Sequence, residues 1–128
     1  MQRRNRDIQI FVYGRFGLIG LKQVIFCGDS LAALKEFPEL ARRDAGHQLD
    51  FVQRGKDPDD WKPMNSVGAG VSEIRIRDEQ GIFRVLYVTK FDDLIYVLHC
   101  FQKKTEKTSA SDIELARRRY REILRGRR

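Results

Sequence analysis

Apolar positions in the first half of the chain predict one strand followed by two helices. The run "LKQVIFC" predicts a strand that Gly28 ends, with Asp29 or Ser30 capping the next helix. "LAALKEF" predicts that short helix. Pro38 suits the first turn of a second helix, which Gly55 ends. Its inward face recurs at helical spacing: Ala41, Ala45, Leu49 and Val52. We expect a helical hairpin packed on a sheet.

The second half predicts three strands joined by short turns. The strands are "VSEIRIR", "IFRVLYV" and "LIYVLHCF", and the turns are "DEQG" and "KFDD". Short connections between consecutive strands indicate an antiparallel meander. On its first strand, alternation puts Ile74 and Ile76 on one face and Glu73, Arg75 and Arg77 on the other. The preceding segment, "KDPDDWKPMNSVGAG", has no period and two prolines, so it predicts a loop.

A C-terminal helix completes the domain. Ser111 followed by Glu114 predicts a capping box. The apolar stripe is Ile113, Ala116, Tyr120 and Ile123, and arginines cover most of the remaining surface. The predicted order is therefore strand, two-helix hairpin, three-stranded antiparallel meander and C-terminal helix, an α+β fold.

The first twenty residues fit this plan poorly. "IQIFVY" either adds an edge strand or precedes a domain that starts at about residue 21. We take residues 1–20 as an N-terminal extension of uncertain role and residues 21–128 as the domain. No apolar run approaches the roughly 18 residues of a membrane span, so we expect a cytoplasmic protein without membrane association.

Charge is unevenly distributed along the chain, whose formal net charge is +7. Residues 101–128 hold ten Lys or Arg against four acidic residues, and residues 1–20 hold four arginines against Asp7. The middle of the chain carries slightly more acidic than basic residues. A basic end on a near-neutral body favours a polyanionic partner, nucleic acid before membrane.

The residues that could carry chemistry are cationic. The sequence contains no H-E-x-x-H, P-loop or G-x-S-x-G motif, and Cys27 and Cys100 are too far apart for a zinc or redox motif, so we expect neither metal nor cofactor. Arg75 and Arg77 are predicted on one strand face, about 7 Å apart. Arg84 interrupts the apolar run of the next strand. Several such groups converging on one sheet edge could hold a phosphodiester.

The same pattern has a simpler explanation. Alternating arginines on a strand are typical of a solvent-facing sheet surface, and Lys103 with Lys104 after a strand can serve only to blunt a sheet edge. The charge pattern alone leaves both explanations open.

Four motifs in order make the chain resemble the RelE/HigB toxin superfamily, in particular its phage-derived host-killing branch. They are the "WKP" loop, the "E-I-R" strand, "G-I-F-R-V-L-Y" and "L-H-C-F-Q-K-K-T-E-K-T", at residues 61–63, 73–75, 81–87 and 98–108. The resemblance extends over about residues 22–125 and does not include residues 1–20. It implies a small α+β fold like that of microbial ribonucleases.

The resemblance also implies an activity. Toxins of this kind in type II toxin–antitoxin pairs cut mRNA, usually on the ribosome. The 2′-hydroxyl attacks the adjacent phosphate without a metal ion, leaving a 2′,3′-cyclic phosphate and a 5′-hydroxyl. The implied partners are mRNA, the ribosome and a cognate antitoxin, which we expect to be a helix-turn-helix protein. The alternative is a non-catalytic module of the same fold that binds RNA or antitoxin.

Site residues follow from motif position and from the basic segments. The candidate catalytic residues are Arg77, Arg84, Lys103, Lys104 and His99. The candidate RNA-binding residues are Lys62, Arg75, Lys107, Arg118 and Arg121. Many relatives place Tyr or His shortly after the last strand, where this chain has Lys107, Thr108 and Ser109. The identity of the general acid is therefore left open, with His99 as the first candidate and Lys107 as the second.

Overall fold

The computed structural model describes residues 8–11, 21–91 and 94–126, and the α+β prediction is confirmed. The strands are β1 (Ile8–Phe11), β2 (Gln23–Cys27), β3 (Trp61–Pro63), β4 (Val71–Asp78), β5 (Gly81–Val88) and β6 (Leu94–Lys103). The helices are α1 (Ser30–Lys35), α2 (Glu39–Gln53) and α3 (Ala110–Gly126). None of the described helices is both long and apolar enough to cross a bilayer.

The described strands form one sheet in the order β1-β2-β6-β5-β4-β3. Strands β4, β5 and β6 are the predicted antiparallel meander, confirmed by their register. Strand β2 pairs parallel with β6, and the α1–α2 hairpin lies between β2 and the meander in sequence. Such a long connection is what a parallel strand in the same sheet requires.

Apolar side chains are buried on both faces of the sheet. On β4 and β5, Ile74, Ile76, Phe83 and Val85 belong to the core under α1 and α2. Alternate residues of β5 and β6, such as Leu86, pack under α3. Burial on both faces explains why β5 and β6 contain nearly continuous apolar runs in the sequence.

The predicted helix faces are confirmed. In α2, Ala41, Ala45, Leu49 and Val52 are all buried. In α3, Ala116, Tyr120 and Ile123 are buried, and Ile113 packs against the same cluster.

The prediction of an unbroken loop before the meander is wrong at one point. Trp61–Pro63 forms the short edge strand β3, which pairs antiparallel with β4 through Trp61 opposite Ile74 and Pro63 opposite Ser72. Proline is tolerated there because an edge strand needs no N–H on its outer side. The two prolines and the lack of a period hid this strand in the sequence.

The predicted capping box of α3 is also wrong, by two residues. The helix begins at Ala110, and Ser109 is its cap: the Ser109 Oγ accepts a hydrogen bond from the Asp112 backbone N–H at 3.1 Å and donates to Asp112 Oδ2 at 2.7 Å. Both Ser109 and Ser111 have an acidic residue three positions later, so the sequence pattern alone did not separate them.

One arginine of α3 ties the helix to the rest of the domain. Arg119 donates to the Leu98 backbone oxygen at 2.8 Å and to Asp29 Oδ1 at 2.7 Å. The hydrogen bond between Arg119 and Asp29 is the main cause of the lowered pKa of Asp29. Asp29 does take the position before α1, but its carboxylate binds Arg119 and makes no capping hydrogen bond.

For the first twenty residues, the structure shows the edge-strand alternative. Ile8–Phe11 pairs antiparallel with β2, opposite residues 24–27. A domain boundary at residue 20 stays a prediction, because residues 1–7 and 12–20 lie outside the described part of the chain.

A glycine pair tests how α3 is docked. A Cβ on Gly68 would lie 2.5 Å from Cε2 of the Tyr120 ring, whose hydroxyl donates to the Ala69 oxygen at 2.7 Å. Gly68→Ala is therefore expected to lower the free energy of unfolding by about 1–3 kcal/mol. The measurement is urea denaturation followed by circular dichroism.

The matched control is Gly46→Ala in the middle of α2, where a Cβ meets nothing within 4 Å. Alanine there should raise the free energy of unfolding by about 0.5–1 kcal/mol, because it restricts the unfolded chain and favours the helix. Equal effects of the two substitutions would contradict the packing of Tyr120 on Gly68.

Candidate functional site

The strand register brings the predicted cations together on one face of the sheet. Arg75 is directly opposite Arg84, and Arg77 is opposite Ile82, which in turn is opposite Lys103. Cross-strand partners share a face. On β3, Lys62 is the partner of Glu73, so it joins the same face. We call Lys62, Arg75, Arg77, Arg84 and Lys103 the cationic face; it is the side of the sheet that carries α3.

A bulge in β6 decides which lysine joins this face. Tyr87 is opposite Val97, but Leu86 is opposite His99, so β6 has one extra residue at Leu98. A shift of one residue moves every following side chain to the other face of a strand. Without the bulge, Gln102 would stand opposite Ile82. The bulge therefore places Lys103 on the side of Arg84.

Glu73 lies at the centre of the cationic face and is completely buried. Its Oε1 is 3.5 Å from Arg84 Nε, 3.8 Å from Arg75 Nε and 4.0 Å from Lys62 Nζ. Its Oε2 accepts a hydrogen bond from the Thr108 hydroxyl at 3.5 Å. A buried carboxylate is tolerated when cations surround it. Sequence reasoning placed Glu73 on the correct strand face but missed it as a site residue.

Arg84 is the most enclosed of these cations, with 6% of its surface exposed. Its Nη1 donates to the Phe83 backbone oxygen at 3.1 Å. Burial lowers the pKa of Arg84, and the charges of Arg75 and Arg77 lower it further, whereas Glu73 opposes them. Because the guanidinium group does not deprotonate in proteins, Arg84 is a fixed positive charge held largely out of water.

Lys103 is half-buried, and its surroundings change the pKa of its ammonium group. Its pKa is lowered, first by burial and then by the nearby charges of Arg84, Lys62 and Arg75, while Glu73 acts in the opposite direction. Lys103 therefore lies close enough to the other cations for their charges to affect its ammonium group. An ammonium group in such surroundings gives up its proton more readily than one on an open surface.

His99 lies on the same side of the sheet, beneath the start of α3. Its Nε2 is 2.7 Å from Asp112 Oδ1, and its ring stacks on Phe101 with the centroids 4.9 Å apart. Burial lowers the pKa of His99, although the hydrogen bond with Asp112 opposes this. The register runs His99, Leu86, Glu73 and Lys62 across the four strands from β6 to β3.

The other predicted site residues lie farther out. Lys104 and Lys107 are exposed after β6, and among the described residues no hydrogen bond or ion pair joins their side chains to the cationic face. Arg118 is exposed on α3, and Arg121 donates to Glu114 Oε2 at 3.2 Å. The structure thus assembles Lys62, Arg75, Arg77, Arg84 and Lys103 and leaves the remaining cations at the surface.

The chemistry of this group suits an anion. Three cationic side chains surround one carboxylate and two more share its face of the sheet, and guanidinium and ammonium groups are the usual protein ligands of phosphate. Within residues 8–11, 21–91 and 94–126, no three His, Cys, Asp or Glu side chains are grouped as ligands of a metal ion.

Comparison with known proteins gives one family. The sequence model of the phage-derived Gp49-like proteins matches residues 32–121, about 70% of the chain, a segment that runs from α1 into α3 and contains the entire cationic face. No curated protein matches the chain. The match supports the toxin resemblance at the level of the family, without the narrower RelE/HigB assignment. The chain belongs to the Gp49-like family of phage-derived proteins, a toxin-like family.

Proposed function

We propose that the protein is the toxin of a type II toxin–antitoxin system and a member of the RelE/HigB superfamily. Its activity is that of a ribosome-dependent endoribonuclease that cleaves mRNA. The observation that carries the proposal is the cationic face, where Arg84 and Arg75 stand side by side over a buried Glu73. Such preset cations suit a substrate that gains negative charge as it reacts.

The proposed reaction is a displacement at phosphorus. The 2′-oxygen of the RNA forms a bond to the adjacent phosphorus and the bond from phosphorus to the 5′-oxygen breaks, which leaves a 2′,3′-cyclic phosphate and a 5′-hydroxyl. Arg77 and Arg84 hold the scissile phosphate. Lys103 stabilises the charge that develops on its oxygens, a contribution of about 3–4 kcal/mol per well-placed donor, and Lys104 adds positive charge from farther out.

Two proton transfers accompany these bond changes. The 2′-hydroxyl loses a proton and the 5′-oxygen gains one. His99 stays a candidate, with its imidazole oriented by Asp112, and Lys107 is the second candidate among the residues after β6.

RNA contacts outside the reacting phosphate come from the surrounding cations. These are Lys62, Arg75, Lys107, Arg118 and Arg121. They attract the phosphate backbone regardless of sequence. The partners of the proposal are mRNA, the ribosome and a helix-turn-helix antitoxin in the cytoplasm.

One observation favours a second candidate function, a module that binds RNA or antitoxin without cleavage. Glu73 offsets part of the positive charge that a reacting phosphate would use. The nature of the RNA products separates the two functions. A 2′,3′-cyclic phosphate supports the nuclease, and tight binding of intact RNA supports the module.

Replacing exposed cations tests the nuclease directly. Arg77→Ala combined with Lys103→Ala is expected to slow RNA cleavage by about a hundredfold or more and to abolish growth arrest after induction. Arg77 is exposed and Lys103 half-buried, so the fold should survive. Arg84→Ala is a poorer choice, because a buried carboxylate left without its partner costs about 3–5 kcal/mol and unfolding would imitate inactivation.

The matched control removes two charges from the opposite face of the sheet. Lys35→Ala with Arg43→Ala changes exposed residues of α1 and α2 and should leave cleavage and toxicity unchanged. Equal toxicity of the wild type and the Arg77, Lys103 variant would argue strongly against catalysis at the cationic face.

The lowered pKa of Lys103 predicts a pH dependence. If its charged form stabilises the transition state, cleavage declines as pH rises through that pKa, and the decline begins below the range of an ordinary lysine. Lys103→Arg should move the decline upward, because guanidinium keeps its proton throughout the accessible range. The measurement is the cleavage rate against pH, corrected for hydroxide-catalysed hydrolysis of the RNA.

Lys35→Arg on α1 is the control and should have the wild-type profile, because this exposed lysine lies on the other side of the sheet. Identical alkaline profiles for the wild type and Lys103→Arg would show that the charge of Lys103 does not limit the rate.

A further inference from the structure

We infer that Glu73 is a positioning residue that fixes the arginines of the cationic face and limits its affinity for anions. The inference rests on the proposed function and assigns a role to the only fully buried carboxylate among the described residues. Glu73 does not touch the substrate in this scheme. It acts on the reaction through Arg75 and Arg84.

The first argument is the pairing of like charges. Arg75 and Arg84 are directly opposite each other on adjacent strands, an arrangement that is destabilising by itself. Glu73 lies two residues from Arg75 on β4 and faces the Nε atoms of both arginines. The carboxylate therefore allows two guanidinium groups to stand side by side where their repulsion would otherwise separate them.

The second argument is how the carboxylate contacts its neighbours. The three cations lie 3.5–4.0 Å from Oε1, beyond hydrogen-bonding distance for well-formed pairs, and Oε1 has no hydrogen-bond partner in the described part of the chain. The Nε atoms of Arg75 and Arg84 likewise have none. Glu73 therefore attracts the two guanidinium groups electrostatically and does not form a bidentate hydrogen-bonded pair with either of them.

This leaves part of each guanidinium group for a ligand. Arg84 uses Nε towards Glu73 and Nη1 towards Phe83, and Arg75 uses Nε towards Glu73 and Nη1 towards Asp60. Each of these contacts therefore uses Nε or Nη1, and none of them uses the Nη2 atom of either arginine. A phosphate can take these two atoms without displacing Glu73.

The third argument concerns the charge of the site. Glu73 raises the pKa of Lys103 against the effect of burial and of three neighbouring cations. Without the negative charge, the face repels its own members more strongly and attracts an anion more strongly. Removing the charge of Glu73 should therefore displace the arginines, which slows cleavage, and at the same time raise the affinity of the cationic face for anions.

The experiment is Glu73→Gln in the full-length protein, which keeps the shape and removes the charge. Cleavage should slow by about a hundredfold, as expected for misplacing one transition-state donor. Binding of a non-cleavable 2′-deoxy oligonucleotide should strengthen by about fivefold, because the negative charge that opposes anion binding to the cationic face is then gone. Glu39→Gln on the exposed surface of α2 is the control and should change neither.

Opposed effects on cleavage and binding support the inference. Parallel losses in both, as a merely structural or a substrate-contacting role would produce, overturn it, and so do unchanged values. If Glu73→Gln does not fold, Glu73→Asp supplies the test: it keeps the charge but moves it by one methylene, and should slow cleavage while binding stays at the wild-type level.

A readout independent of cleavage separates this inference from the proposed function. The Nε–H protons of Arg75 and Arg84 are buried and should exchange slowly with water in NMR spectra, and faster in Glu73→Gln. If the wild type leaves RNA intact, the nuclease proposal fails. Proton exchange at the arginines and the affinity for the oligonucleotide then still test whether Glu73 is a positioning residue. Unchanged exchange in the variant rejects its positioning role.

Discussion

A buried carboxylate surrounded by cations is the constraint on which the site depends. Removing a charged carboxylate from water costs several kcal/mol, and only close cations can offset that cost. Lys62, Arg75 and Arg84 supply them for Glu73, each from a different strand. The short edge strand β3 therefore has a definite role, because it carries Lys62 to the carboxylate. The site is a property of three strands held in register.

The face of the sheet that carries α3 is divided between packing and chemistry. Along β5, Leu86 and Val88 lie in the core under the helix, whereas Arg84, two residues earlier, belongs to the cationic face. The helix begins only after Thr108, which itself contacts Glu73. One strand thus supplies apolar contacts to the helix at one end and a buried cation at the other. Docking of α3 and formation of the site are linked through the same strand.

Periodicity predicted most of the fold and part of the arrangement of the candidate site residues on the sheet. Helix stripes and strand alternation depend on local sequence, so the meander, the α2 face and the common face of Arg75 and Arg77 could be found. The side of Lys103 depends on the bulge at Leu98, which has no Gly or other local signal. The burial of Glu73 depends on Lys62 and Thr108, which are distant in sequence. Non-local contacts of this kind are invisible to a pattern within a single segment.

The start of α3 connects the second half of the site to the fold. Ser109 caps the helix and donates to Asp112, and Asp112 holds the imidazole of His99. Thr108 meets Glu73 one residue before the cap. This short segment thus places two hydroxyl residues against two carboxylates, one on the sheet and one on the helix. The bulge in β6 that places Lys103 on the side of Arg84 also places His99 on the side of Asp112. A single extra residue in one strand therefore sets the sheet face of both Lys103 and His99.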